Sequence, residues 1–171
     1  NHQPYADRGT DNNLTERLRI DSSGRLLVGS TSVRSVAGVS AQLQVEGTDY
    51  NTASATFISN AGASAGNLSH ITLAKSRGSS DGSSTVLADG DSIGLIQWVG
   101  ADGTDLNCVA AEIRAKVDGA PGSNDMPGTL LFSTTADGAT TPTERLRVDS
   151  SGNTKFISNA RQVIIQNGGT S

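Results

Sequence analysis

The strongest constraint on this chain is a ten-residue word that it contains twice. Residues 15–24 read TERLRIDSSG and residues 143–152 read TERLRVDSSG, differing only at Ile20 and Val148. Leu18 and Ile20 alternate with Arg17 and Arg19, and Leu146 and Val148 alternate with Arg145 and Arg147. A period of two sends successive side chains to opposite sides of an extended backbone, so the word predicts a strand with one apolar face. DSSG then supplies turn chemistry. Asp21 and Asp149 can accept hydrogen bonds from the backbone just ahead, and Gly24 and Gly152 tolerate the positive φ that closes a short loop. Residues 25–28 (RLLV) and 154–157 (TKFI) are the return strands. Glu16 and Glu144 recur with the word, which points to a structural ion pair or an edge role.

The chain between the copies is strand after strand. Residues 1–13 are polar and read as an arm or linker, and residues 29–40 form a loop of small residues. Further strands are predicted at 42–47, 55–58, 68–75, 91–100, 111–118 and 129–135. Residues 91–100 (DSIGLIQWVG) are apolar on both faces, the pattern of a strand covered on both sides. Residues 111–118 (AEIRAKVD) contain helix formers, yet their strict alternation and terminal Asp118-Gly119 favour a strand. Residues 78–84 and 119–128 are loops by composition. FISNA at 57–61 recurs at 156–160, a weaker echo, and residues 162–169 resemble the opening strand of another unit. The expected organisation is an arm at 1–13, a first hairpin module with a connecting strand at 14–47, a globular β-domain at 48–142, and a second hairpin module leading into a next unit at 143–171.

Such strands need a core, and the chain is poor in core residues. Leu, Ile, Val and Phe together make 36 of 171 residues, near the limit for independent packing. An isolated two-stranded hairpin is marginal in water. The tight β patterning therefore implies a thin structure that completes its core against copies of itself. With a net charge of −4 and basic residues spread singly, the chain has no stripe for nucleic acid and no feature for membrane insertion. No apolar run approaches a membrane span. Cys108 is the only cysteine, so an intrachain disulfide is impossible, and it is expected as a small buried side chain. The first residue is Asn rather than Met, as in a processed or excised piece.

Three segments carry a resemblance to the repeat region of tailed-bacteriophage tail fibres. They are residues 90–105 (GDSIGLIQWVGADGTD), residues 110–138 (AAEIRAKVDGAPGSNDMPGTLLFSTTADG) and the TERLR(I/V)DSSG word, in the family's order. Leu27-Val28-Gly29 keeps the family's ending of the word, whereas residues 155–158 (KFIS) depart from it. The resemblance implies an all-β chain, with short hairpin shaft modules flanking a globular, sandwich-like antiparallel domain, assembled as an intertwined homotrimer. It implies a virion appendage, made in the host cytoplasm, that engages other tail or baseplate proteins and a host-surface glycan or protein. Many such fibres end in a self-cleaving intramolecular chaperone domain, and no stretch of residues 1–171 resembles one. Leu18, Ile20, Leu146 and Val148 would face the shared axis or the sheet-packing interface. Arg17, Arg19, Arg145 and Arg147 would point outward or into inter-chain pairs.

Other chemistries are thinly represented. Asp89, Asp91, Asp102 and Asp105 offer oxygen ligands without the spacing of a calcium loop, and Asp-Gly is itself a common hairpin turn. His2 and His70 have no partner at metal or triad spacing. No cofactor, metal or catalytic residue is expected. A depolymerase would need two carboxylates across a groove, and a bacterial surface adhesin could use the same stalk logic. For a glycan, Tyr50 in a polar loop is the better stacking candidate, because Trp98 lies inside the strongest strand and Tyr5 in the arm. Any receptor contact belongs with the loops 78–84 and 119–128.

Overall fold

The computed structural model describes residues 16–60, 62 and 66–157. Among these there are eight β-strands and no helix. Strands β1 (Leu18–Ile20), β2 (Leu26–Val28) and β3 (Leu43–Val45) form one sheet. Strands β4 (Ser92–Gly100), β5 (Cys108–Val117), β6 (Gly128–Thr134), β7 (Thr143–Val148) and β8 (Thr154–Phe156) form a second, in the order of the chain. The sheets belong to separate units, Asn1–Ser69 and His70–Ser171.

In the first unit β1 and β2 are the two arms of the first DSSG hairpin, with Arg19 opposite Leu27. β3 then lies parallel to β2, with Leu27 opposite Gln44. A parallel partner requires a crossover, and residues 29–42 provide it. The crossover is pinned where the Arg34 backbone N–H donates to Gln44 Oε1 and Gln44 Nε2 donates back to the Arg34 carbonyl. This pins it above the sheet face that carries Gln44 and Leu27, and Leu27 is left 1% exposed. Gly29, at φ +81°, begins the crossover where a Cβ would stand 2.0 Å from the Glu46 carbonyl oxygen, so only glycine fits. On the opposite face Leu18, Ile20 and Leu43 stay exposed, Ile20 at 70%.

The second unit is an antiparallel meander, the simplest way to pair consecutive strands. Its register sorts the side chains cleanly. Ile96, Ile113, Phe132, Leu146 and Phe156 lie in line across all five strands, with Trp98, Leu130 and Val148 on the same face. Glu112, Arg114, Lys116, Leu131, Arg147 and Lys155 occupy the other. Val117 and Leu87 are buried, and the Leu73 side chain sits on Gly94, where a Cβ would come within 2.7 Å of it. Most of the apolar face is open, with Ile96 52% and Trp98 51% exposed. Among the described residues only Leu27, Leu87, Val117 and Leu131 are buried large apolar side chains.

Several expectations change. Residues 55–58 and 68–75 form no strand and join neither sheet among the described residues, because strand pattern in a sequence does not supply a ladder partner. Residues 91–100 do form a strand, yet its apolar face is left about half exposed at Ile96 (52%) and Trp98 (51%) among the described residues. Cys108 is exposed, not buried, because it opens β5 beside the 102–105 turn, where its thiol contacts Asp102 Oδ2 at 3.3 Å. The second word is no separate hairpin module, since β7 pairs with β6 along its length and so belongs to the sheet. The two compact units divide between Ser69 and His70. The arm at 1–13, residues 158–160 of the FISNA echo and the segment 162–169 lie outside the described residues.

Leu27 is the packing centre of the first unit. Leu27→Ala is expected to cost about 2–5 kcal/mol of stability in chemical denaturation, with loss of the transition that reports on residues 16–60.

Candidate functional site

The two copies of the word fold alike, down to single hydrogen bonds. Asp21 Oδ1 accepts from the backbone N–H groups of Ser23 and Arg25 at 2.8 and 3.0 Å, and Asp149 Oδ1 accepts from those of Ser151 and Asn153 at 3.0 and 2.8 Å. The second carboxylate oxygen takes Arg25 Nε in one copy and Asn153 Nδ2 in the other. Gly24 and Gly152 close the turns at φ +76° and +80°. Each N–H donates back to the aspartate carbonyl, at 2.9 Å in both copies. Glu16 pairs with both Nε and Nη2 of Arg19, and Glu144 with both of Arg147 at 2.8 and 2.9 Å. These two arginines are thus paired within their own chain. The exposed Arg145 donates to Thr134 Oγ1, and Arg17 contributes its carbonyl to Gly29 N–H.

The charged face of the second sheet is the most structured polar surface of the unit. Glu112 and Glu144 stand on β5 and β7 opposite the same β6 residue, Ser133, and both line a cavity of about 300 Å3. Sequence alone had no means of bringing these carboxylates together. Each is gripped in two places by an arginine, Glu112 by Arg114 at 3.0 and 2.9 Å. Leu131, between Arg114 and Arg147 in the register, is buried where the arginine stems cover it. Hydrogen bonding to Arg114 and Arg147 holds Glu112 and Glu144 below the ordinary carboxylate value. Glycoside hydrolysis needs one carboxyl raised so that it can act as an acid. Both members of this pair are shifted the other way.

Asp89, Asp91 and Asp102 are engaged by backbone N–H groups, and Asp91 also by cations. Asp91 accepts from Arg77 at 2.6 and 3.0 Å and from Ala88 N–H, which drives its carboxyl far below the usual range. Asp89 accepts from Gly119 N–H, and Asp102 from Thr104 and Asp105 N–H. Among the described residues no three His, Cys, Asp or Glu side chains form a metal-binding group. His2 and Tyr5 lie outside the described residues. Tyr50 is 83% exposed in a turn capped by Asp49, and Trp98 belongs to the other unit. The loops 78–84 and 119–128 meet, lining a cavity of about 560 Å3 through Ser83, Ser84, Gly122 and Met126.

No family model matches the chain, and no curated protein matches it in sequence. Among solved structures it is similar to the carboxy-terminal domain of the bacteriophage T5 L-shaped tail fibre, with a TM-score of 0.60 and 15% identity, covering 91% of this chain and 64% of that one. It is also similar to the same T5 domain carrying its intramolecular chaperone domain, with a TM-score of 0.65 and 15% identity, covering 91% of this chain and 47% of that one. The chain spans less than two thirds of either. The likeness is one of fold, and it is the all-β tail-fibre fold that the sequence blocks pointed to.

The lowered carboxyls set the pH response. Asp21, Asp91, Asp149, Glu112 and Glu144 all sit below their ordinary values of 3.8 or 4.5. Their contribution is therefore complete above that range and is lost as pH falls through the lowered values. The melting temperature should stay level down to about pH 5 and fall below about pH 4. Asp149→Ala should lower the melting temperature at neutral pH and flatten part of the acid fall, as read by thermal melts across pH.

Proposed function

We propose that the chain is a structural, non-enzymatic segment of a phage tail fibre. It works as part of a homotrimeric virion appendage that serves host recognition and attachment. The observation that carries this reading is the apolar face of each sheet, open along β1 and β3 in the first unit and from Ile96 to Phe156 in the second. Burial at about 25 cal/mol per Å2 is the main stabilising term in folding, and this chain leaves most of its large side chains without it. Association with copies of the same chain covers both faces at once. The tail-fibre fold, the hairpin words and the firmly ionised carboxylates all accord with a scaffold role. Partners along the fibre are other tail or baseplate proteins.

One observation favours a receptor contact in this same segment. The two loops singled out for it, 78–84 and 119–128, line a common cavity, and Tyr50 presents a free ring. A host-surface glycan or protein is the partner of that reading. Tyr50→Ala or deletion of residues 79–83 should then weaken adsorption to host cells while leaving the assembly intact. Unchanged adsorption removes the contact from this segment.

Assembly has a sharper test. In a single chain Ile96 is already exposed, so Ile96→Glu should alter a monomer by no more than about 0.5 kcal/mol. In a trimer it buries an unpaired charge. Light scattering is expected to give three times the 17.5 kDa chain mass for the wild type, and a lower mass with a lower melting temperature for Ile96→Glu. A wild-type monomer with a cooperative melt would sink the reading.

A further inference from the structure

β4 is the edge of the five-stranded sheet, and its outer backbone groups have no backbone partner among the described residues. Exposed edges invite pairing with another chain, and folded proteins blunt them with charge, proline, bulges or brevity. The opposite edge, β8, is three residues long and carries Lys155. β4 is nine residues long and has neither a charged side chain nor a proline. Irregular register is confined to Ser92/Gly94 and Trp98/Val99, so the run from Gly94 to Trp98 is a regular, uncharged, unpaired ladder.

The same chain holds a second unpaired ladder. Residues 68–72 (LSHIT) carry no Asp, Glu, Lys, Arg or Pro, lie outside any helix or strand, and leave Leu68 and Ile71 exposed. Their backbone groups have no backbone partner among the described residues. The run matches the regular part of β4 in length. It is not free to lie along its own β4 edge. Leu73, the next residue, is seated on Gly94 above the sheet face, and Lys75 and Arg77 are held on Asp91 at the start of that strand.

We propose that residues 68–72 of one copy add as a sixth strand to the β4 edge of a second copy. The proposal rests on the homotrimeric reading and names the pairing that builds it. Each chain gives one strand and receives one, a head-to-tail exchange that closes into a ring at three copies. Main-chain hydrogen bonds supply the affinity, as in other strand-addition complexes. Ile71 extends the apolar face or caps its border according to register.

The test uses the whole chain with Cys108→Ser. His70→Cys, Ile71→Cys and Thr72→Cys are each combined with Ile96→Cys or Gln97→Cys. Directly opposed residues on antiparallel strands stand about 4.5–5.5 Å apart at Cα, within the span a disulfide bridges. At least one pair should give a covalent trimer on a non-reducing denaturing gel, while each single-cysteine chain runs as a monomer. Ile71→Pro, which deletes a ladder N–H, should speed hydrogen exchange at β4 amides by about tenfold or more. A trimeric mass with no cross-link at any pair, or with the disulfide closed inside one chain, overturns the strand exchange and leaves the assembly standing. A wild-type monomer overturns both.

Discussion

Uncovered apolar surface is the condition on which everything else in this chain depends. Each sheet sorts its residues by pleat into one apolar and one polar or charged face. In each unit a buried leucine lies on the polar side: Leu27 beneath the 29–42 crossover and Leu131 between Arg114 and Arg147. The broad apolar faces are covered only in part, as where Leu73 sits on Gly94 and Val117 is buried. A sheet one layer thick cannot bury both sides of itself. Ile96, Trp98, Leu18 and Ile20 are left half or more exposed among the described residues.

Polar chemistry gives local rigidity within that frame. The capped turn and the Glu–Arg pair are reproduced in both copies of the word, although one copy is bordered by a parallel strand and the other by an antiparallel one. This independence from context is what a repeated module needs. Short-range bonds from Asp21 and Asp149 hold each turn within a few residues of itself. Exposed ion pairs contribute modestly to stability. Their value here is geometric, since Arg19 and Arg147 are held along the strand by Glu16 and Glu144 and keep the polar face polar.

Legibility followed the range of the interaction. The DSSG turns, the alternation of β5 and the all-β class could be read directly, because each depends on residues within about ten positions of one another. The parallel placement of β3 could not. It depends on the crossover and on Gly29 passing the Glu46 carbonyl, neither of which has a period. Cys108 was misread by composition, as small apolar residues are usually buried, whereas its place at the mouth of a turn exposes it. Residues 68–75 carried a true strand pattern and found no strand beside them, which is a statement about partners and not about the pattern.

By itself the sequence determined the local rules: where the chain turns, which side of each hairpin strand is apolar, and that large apolar residues are 36 of 171, near the limit for independent packing. Those follow from side-chain alternation, from turn chemistry and from counting. Only the tertiary structure decided that Glu112 and Glu144 share a cavity yet are held by arginines, that β7 belongs to the large sheet, and that the β4 edge and residues 68–72 have no backbone partner among the described residues. The physical reason is that strand order and edges are properties of pairing across tens of residues, on which a period of two is silent.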